Sequence, residues 1–144
     1  MLANGAMRSI AIVDASPLYA WVDAGDADHA RCRSTLARAD LHLVIPTLVV
    51  TEVIYFVGRR LGAQAEARFL DALSSFDVEA PLTDEWHRIA ELVEQYGDFP
   101  LGGVDASVIA LAERLRADTV VTLDRRHFGA VQPKHVQALR LLPD

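Results

Sequence analysis

The chain reads as an α/β domain built on a central, mostly parallel sheet of about five strands, with helices on both faces. Three observations carry that reading. Short runs rich in Val, Ile and Leu alternate along the chain with longer helical segments. Those runs are continuously apolar, as in strands buried on both faces. The 144 residues contain no repeat, linker or low-complexity tract. They are expected to form a single domain over 7–144, with 1–6 as an upstream start or expression remnant ahead of Met7.

The first strand is expected at 9–13, a continuous apolar run. A helix over 17–24 follows, with Ser16 as its N-cap and Pro17 in its first turn. A second helix covers 28–39. The second strand, 41–45, is stopped by Pro46. A long helix then spans 47–60 and ends at Leu61-Gly62, and a fourth covers 63–73. A short strand is expected at 76–80. Residues 83–96 form an amphipathic helix with Trp86, Ile89, Ala90 and Val93 on one face, ending at Gly97. The segment 98–103, with Pro100 and Gly102-Gly103, is a loop. A sixth helix covers 104–116, and strands at 119–123 and 136–142 complete the sheet. Trp21 and Trp86 are expected in the core.

Composition narrows the function. An apolar fraction of 51% and a charged fraction of 24% are those of an ordinary globular domain. No apolar run reaches the ~20 residues of a membrane span, and the N-terminus lacks the apolar stretch of a secretory signal. Cys32 is the single cysteine, which removes disulfide frameworks and thiolate zinc sites. A cytoplasmic protein with no membrane partner is the expectation. The net charge of −6 argues against a general nucleic-acid-coating protein. It leaves room for a nuclease, since carboxylates gathered for metal lower the net charge by themselves.

Four acids stand where core is expected. Asp14 ends the first strand, Glu52 lies within the apolar run 48–57, Asp105 heads the run 104–112, and Asp124 closes 119–124. Buried carboxylates rarely lack a partner, yet no Lys or Arg lies inside these four runs. Each acid also has an ordinary structural role open to it. Asp14 can serve a turn and Asp105 a helix N-terminus. Asp124 can cap the turn 125–128, and Glu52 can face water in a stripe with Thr51 and Arg59. Taken together, three of them fall at strand ends or a helix start, where open α/β sheets bind ligands. Convergent carboxylates suit Mg²⁺ or Mn²⁺, which activate water and neutralise phosphodiester charge. His29, His42, His87, His127 and His135 show no metal-ligand spacing and read as surface or packing residues. Gly102-Gly103 matches no phosphate-binding fingerprint. Arg125 and Arg126 are candidate RNA contacts.

The segments Ile12-Val13-Asp14-Ala15-Ser16, Thr51-Glu52-Val53, Gly103-Val104-Asp105-Ala106-Ser107 and Thr122-Leu123-Asp124-Arg125-Arg126-His127-Phe128, in this order and spacing, resemble those of PIN-domain ribonucleases. The likeness is specifically to VapC-type toxins of type II toxin–antitoxin systems, and it spans 7–142. It implies a PIN-like fold and an Mg²⁺- or Mn²⁺-dependent endoribonuclease that cleaves structured RNA, transfer RNA or ribosomal RNA, by metal-activated water. The family's metal-binding acids map onto Asp14, Glu52, Asp105 and Asp124, and its supporting hydroxyls onto Ser16 and Thr122. Asp98, an extra acid before Asp105, is not expected to be a ligand. The resemblance also implies a homodimer held inactive by a cognate VapB-type antitoxin. The antitoxin's tail would offer Arg or Lys to the acids and lie in a groove walled by Val53, Phe56 and Val57.

Two rival readings are weaker. A phosphatase with an aspartate nucleophile needs a second acid where Ser16 stands, and a receiver domain needs an acidic pair that the N-terminal region does not supply. A catalytically silent PIN-like module would not need four intact acids.

Overall fold

The computed structural model describes residues 8–144, so the expected start at Met7 lies outside the described residues. Among the described residues, five parallel strands form one sheet: β1 (Ser9–Val13), β2 (Leu41–Pro46), β3 (Asp77–Glu79), β4 (Thr119–Val121) and β5 (Arg140–Leu142). Their spatial order is β3-β2-β1-β4-β5. Among the described residues, seven α-helices connect or follow them: α1 (Ala15–Val22), α2 (His29–Leu36), α3 (Thr47–Leu61), α4 (Ala63–Ala72), α5 (Glu85–Gln95), α6 (Gly103–Leu115) and α7 (Arg125–Ala130).

The order explains the location of the site. From β1 the chain steps outward to β2 and then β3, and it next jumps back across β1 to β4. Right-handed crossovers therefore put α1 to α4 on one face and α5 and α6 on the other. The reversal falls between β1 and β4, whose carboxyl ends lie side by side with Val13 opposite Val121. A crevice opens at such a switch point.

The strands are apolar because both of their faces are covered. Ile12, Val13, Val44, Ile45, Val120 and Val121 are essentially inaccessible. Val49, Val53 and Val57 of α3 and Val108 and Ile109 of α6 close over them.

Several expectations are corrected. Asp14, not Ser16, occupies the N-cap of α1, because β1 runs on one residue through the bond from Asp14 N to Val121 O, 2.9 Å. Trp86 is half exposed, at 51%: α5 buries Ile89 and Leu92 instead, one step round the helix from the expected face. Trp21 is half-buried and meets Phe76 edge-on, with centroids 5.6 Å apart. Val57 lies in the core with no exposed surface, so it cannot wall a groove. The last strand is only Arg140–Leu142, since His135 is drawn aside to donate from Nε2 to Ala117 O at 2.6 Å. The turn expected at 125–128 is the helix α7.

Candidate active site

Asp14 leaves the end of β1 and is buried, at 5% exposure. Its Oδ2 accepts from the Thr122 hydroxyl at 2.8 Å. That same Thr122 oxygen accepts from Asp124 N at 2.9 Å. One buried threonine thus links the acids that end two neighbouring strands. Ser16 adds a second link, its Oγ accepting from Leu123 N at 3.2 Å. The β1 and β4 ends are held together by hydroxyls on both sides.

Burial pushes the Asp14 carboxyl up to about 7. The Thr122 hydroxyl and the Ala15 amide only partly offset this, and the charges of Asp105 and Glu52 add to it. Asp105, in the first turn of α6, is also raised, mainly by burial and further by Asp124, although Gly102 N donates to it at 3.4 Å. Glu52 is raised by burial and then by Asp105. Each of these three carboxyls feels another's charge, so the four acids share one neighbourhood.

Glu52 settles which way α3 turns. It is solvent-accessible, but on the wall of a cavity of about 230 Å³ that it shares with Ala15, Ser16 and Leu123. No ion pair or side-chain hydrogen bond engages it among the described residues. Phe56 lines the same cavity, and Val53 meets it only from the floor, itself fully buried.

Asp124 carries a double structural role. Its Oδ1 accepts from His127 N at 2.9 Å, capping α7. Its Oδ2 lies 2.6 Å from His127 Nδ1, and His127 Nε2 lies 3.1 Å from Phe99 O. His127, expected to be a surface or packing residue, therefore clamps the acid to the loop before α6. Its position three residues after a helix-capping Asp was the available sequence signal.

The donor set suits a hard divalent cation: oxygen ligands only, with the imidazole turned to Asp124 and Phe99. Among the described residues, no group of three or more His, Cys, Asp or Glu side chains stands close enough together to hold a metal ion as placed. The acids are neighbours in charge, with Asp14 held by Thr122 and Asp124 by His127. Arg125 directs Nη2 to the carbonyls of Leu141 and Pro143, tying α7 to the chain end. Arg126 instead stacks over Phe99, 5.5 Å from its centroid, and is exposed.

Comparison with known proteins gives consistent results. The family described as PIN domain matches residues 11–132. Ribonuclease VapC26 of Mycobacterium tuberculosis is 36% identical over 124 residues, covering 85% of this chain and 92% of the relative. Among solved structures, the Mycobacterium tuberculosis sarcin–ricin loop cleaving toxin VapC20 superposes with a TM-score of 0.72 at 23% identity, over 78% of this chain and 87% of that one. A toxin–antitoxin complex from Klebsiella pneumoniae gives 0.66 at 22% identity, over 88% and 99%. VapBC2 of Rickettsia felis, bound to a promoter DNA fragment, gives 0.65 at 18% identity, over 92% and 96%. These structural likenesses speak for the fold.

Proposed function

Because the chain belongs to the PIN-domain family, among its VapC-type ribonucleases, we propose that it is a divalent-metal-dependent endoribonuclease toxin restrained by a VapB-type antitoxin. The observation that carries this reading is the Asp14–Thr122–Asp124 link at the β1/β4 switch point, with Asp105 and Glu52 electrostatically coupled to it. Asp14, Glu52, Asp105 and Asp124 are the residues that would hold Mg²⁺ or Mn²⁺. When bound, such an ion supplies an activated water and neutralises phosphodiester charge.

The chain's own residues have distinct parts in this reading. Thr122 keeps Asp14 oriented and fixes the Asp124 backbone; Ser16 keeps the two strand ends in register. His127 holds the Asp124 carboxylate at one angle. Burial of Asp14 raises the free energy of its charged form, so a cation or a cationic side chain is strongly favoured beside it. The same physics serves inhibition: an antitoxin Arg or Lys satisfies the acids, and its neighbouring apolar residues lie over Phe56 and the Val53 floor. Arg126 is the better placed of the two expected RNA contacts, since Arg125 is engaged with chain carbonyls. Structured RNA, transfer or ribosomal, is the substrate class. Homodimer formation belongs to the same reading, with half-exposed Leu82 and Trp86 offering apolar surface. No helix among the described residues is long and apolar enough to cross a membrane. The lone Cys32 agrees with a cytoplasmic site of action.

The test is direct. The purified chain should cut structured RNA with Mg²⁺ or Mn²⁺ and stop with EDTA. Asp14→Asn should lower the rate by more than the ~100-fold upper range for losing a mere supporting group, with an unchanged circular dichroism spectrum. Cleavage that survives this substitution would overturn the assignment.

A further inference from the structure

Arg60 stands in the last turn of α3 and lines the same cavity as Glu52. Its guanidinium lies over two rings, 4.6 Å from the Phe56 centroid and 5.2 Å from that of Tyr19. The Tyr19 hydroxyl donates to Asp23 Oδ2 at 2.7 Å, which fixes that ring. No carboxylate lies within ion-pair distance of Arg60 among the described residues, although its charge reaches Asp23 and helps to lower that carboxyl. Among the described residues, it is the single cation lining the cavity. Asp26, on the same wall, is occupied by accepting from Asp28 N at 2.8 Å.

An exposed arginine near a carboxylate cluster would ordinarily pair with an acid or wave in solvent. Here two aromatic faces hold it, so the ordering cost of a long side chain is met before any ligand arrives. A stacked guanidinium still presents its N–H edge outward, in the fork geometry that suits phosphate.

We propose that Arg60 is a phosphate-binding residue of the RNA subsite beside the cut, with the exposed edge of Phe56 and the cavity around it receiving the adjoining base. The assignment rests on the ribonuclease reading above. Glu52, Phe56 and Arg60 follow one another at four-residue steps along α3, forming one stripe. Eight residues of helix separate Glu52 from Arg60 by about 12 Å along the axis. Arg60 is therefore too distant for the phosphate under attack and meets a neighbouring one, which makes it a binding residue and not a catalytic residue. The stripe runs from acid through aromatic to cation. Single-stranded RNA matches this, because it is bound by stacking of unpaired bases on aromatic and guanidinium planes together with phosphate contacts. It also meets an electrostatic need: a chain of net charge −6 with four clustered acids repels RNA unless fixed cations steer the strand.

The experiment measures binding of a fluorescein-labelled single-stranded RNA of about ten nucleotides by anisotropy, across a salt series. The full chain carries Asp14→Asn to prevent cutting. Arg60→Gln keeps a planar group over the rings and removes the charge; Arg60→Ala removes both. Arg33→Ala, on the exposed side of α2, controls for net charge. Both Arg60 variants should weaken binding about tenfold at low salt and reduce the log–log salt slope by about 0.7, the value for one phosphate on a single strand. In the cleaving parent, Arg60→Gln should raise KM with kcat nearly unchanged. If the Arg60 variants bind RNA like Arg33→Ala, the assignment is wrong. If they do so while losing affinity for poly-glutamate, Arg60 serves a protein partner instead, which equally overturns it. Failure of the ribonuclease reading would look different: no cutting of structured RNA by the parent, or cutting unaffected by Asp14→Asn.

Discussion

Asp14 is the residue at which burial and charge conflict most directly. In the unfolded chain its carboxyl titrates near 3.8, and in the fold near 7, because burial outweighs the Thr122 and Ala15 hydrogen bonds. A carboxyl raised by folding favours the protonated form in the native state. Its contribution to stability is therefore full below about pH 4 and is lost as the pH rises through about 7. The gap is worth on the order of 4 kcal/mol. In EDTA, the parent should lose stability between pH 5 and pH 8 relative to Asp14→Asn, whose amide oxygen still accepts from Thr122. Chemical denaturation at the two pH values measures this. Parallel pH dependence in the two proteins would show that Asp14 is solvated and is not the strained centre of the site. Thr122 and Asp14 were both legible from their places in strand-end motifs. His127 was legible only as a neighbour of the capping Asp124; its contact with Phe99 depends on the loop before α6 returning to meet α7.

Among the elements, α3 determines the groove, and Gly62 determines where α3 ends. Gly62 has φ 91° and ψ 175°, a region open essentially to glycine alone. It closes α3 by donating to Gly58 O at 3.2 Å and starts α4 by accepting from Glu66 N at 3.1 Å. No atom crowds a Cβ added there, so the cost of substitution is conformational. Gly62→Ala should destabilise by about 1–3 kcal/mol, read as a lower urea midpoint with unchanged m. A neutral result would mean that the α3–α4 corner relaxes freely. The end of α3 was readable because glycine marks it. The inward face of α5 was not. Its packing against α6 includes Arg88 bound through two nitrogens to Glu113, both at 2.8 Å, and Arg114 to Glu85 at 2.6 Å. Charged residues on a packed face shift the apparent apolar stripe, so the local pattern points Trp86 inward although it lies half exposed. The first strand was legible for the opposite reason: continuous burial writes a continuous apolar run.

For the whole molecule, the topology brings together acids that are far apart in sequence, and a cation should complete the arrangement. The order β3-β2-β1-β4-β5 could be anticipated only as a parallel sheet; which strands adjoin was not written in any local pattern. The acids were visible because each interrupts an apolar run. Arg60 was not, because its meaning depends on α1 bringing Tyr19 against α3. Clustering acids of like charge in the metal-free fold costs stability, and a bound cation reverses that cost. A ligand at a hundred times its Kd stabilises the native state by about 2.7 kcal/mol. For a domain of this size that raises Tm by about 5–10 °C. Millimolar Mn²⁺ should therefore raise the parent's Tm at pH 8 and leave Asp14→Asn nearly unmoved. Because burial keeps Asp14 protonated up to about 7, the parent's shift should shrink at pH 5.5, where the cation must displace a proton. Equal shifts in parent and variant would put the ion on some other acidic surface. A parent shift independent of pH would remove Asp14 from the ligand set.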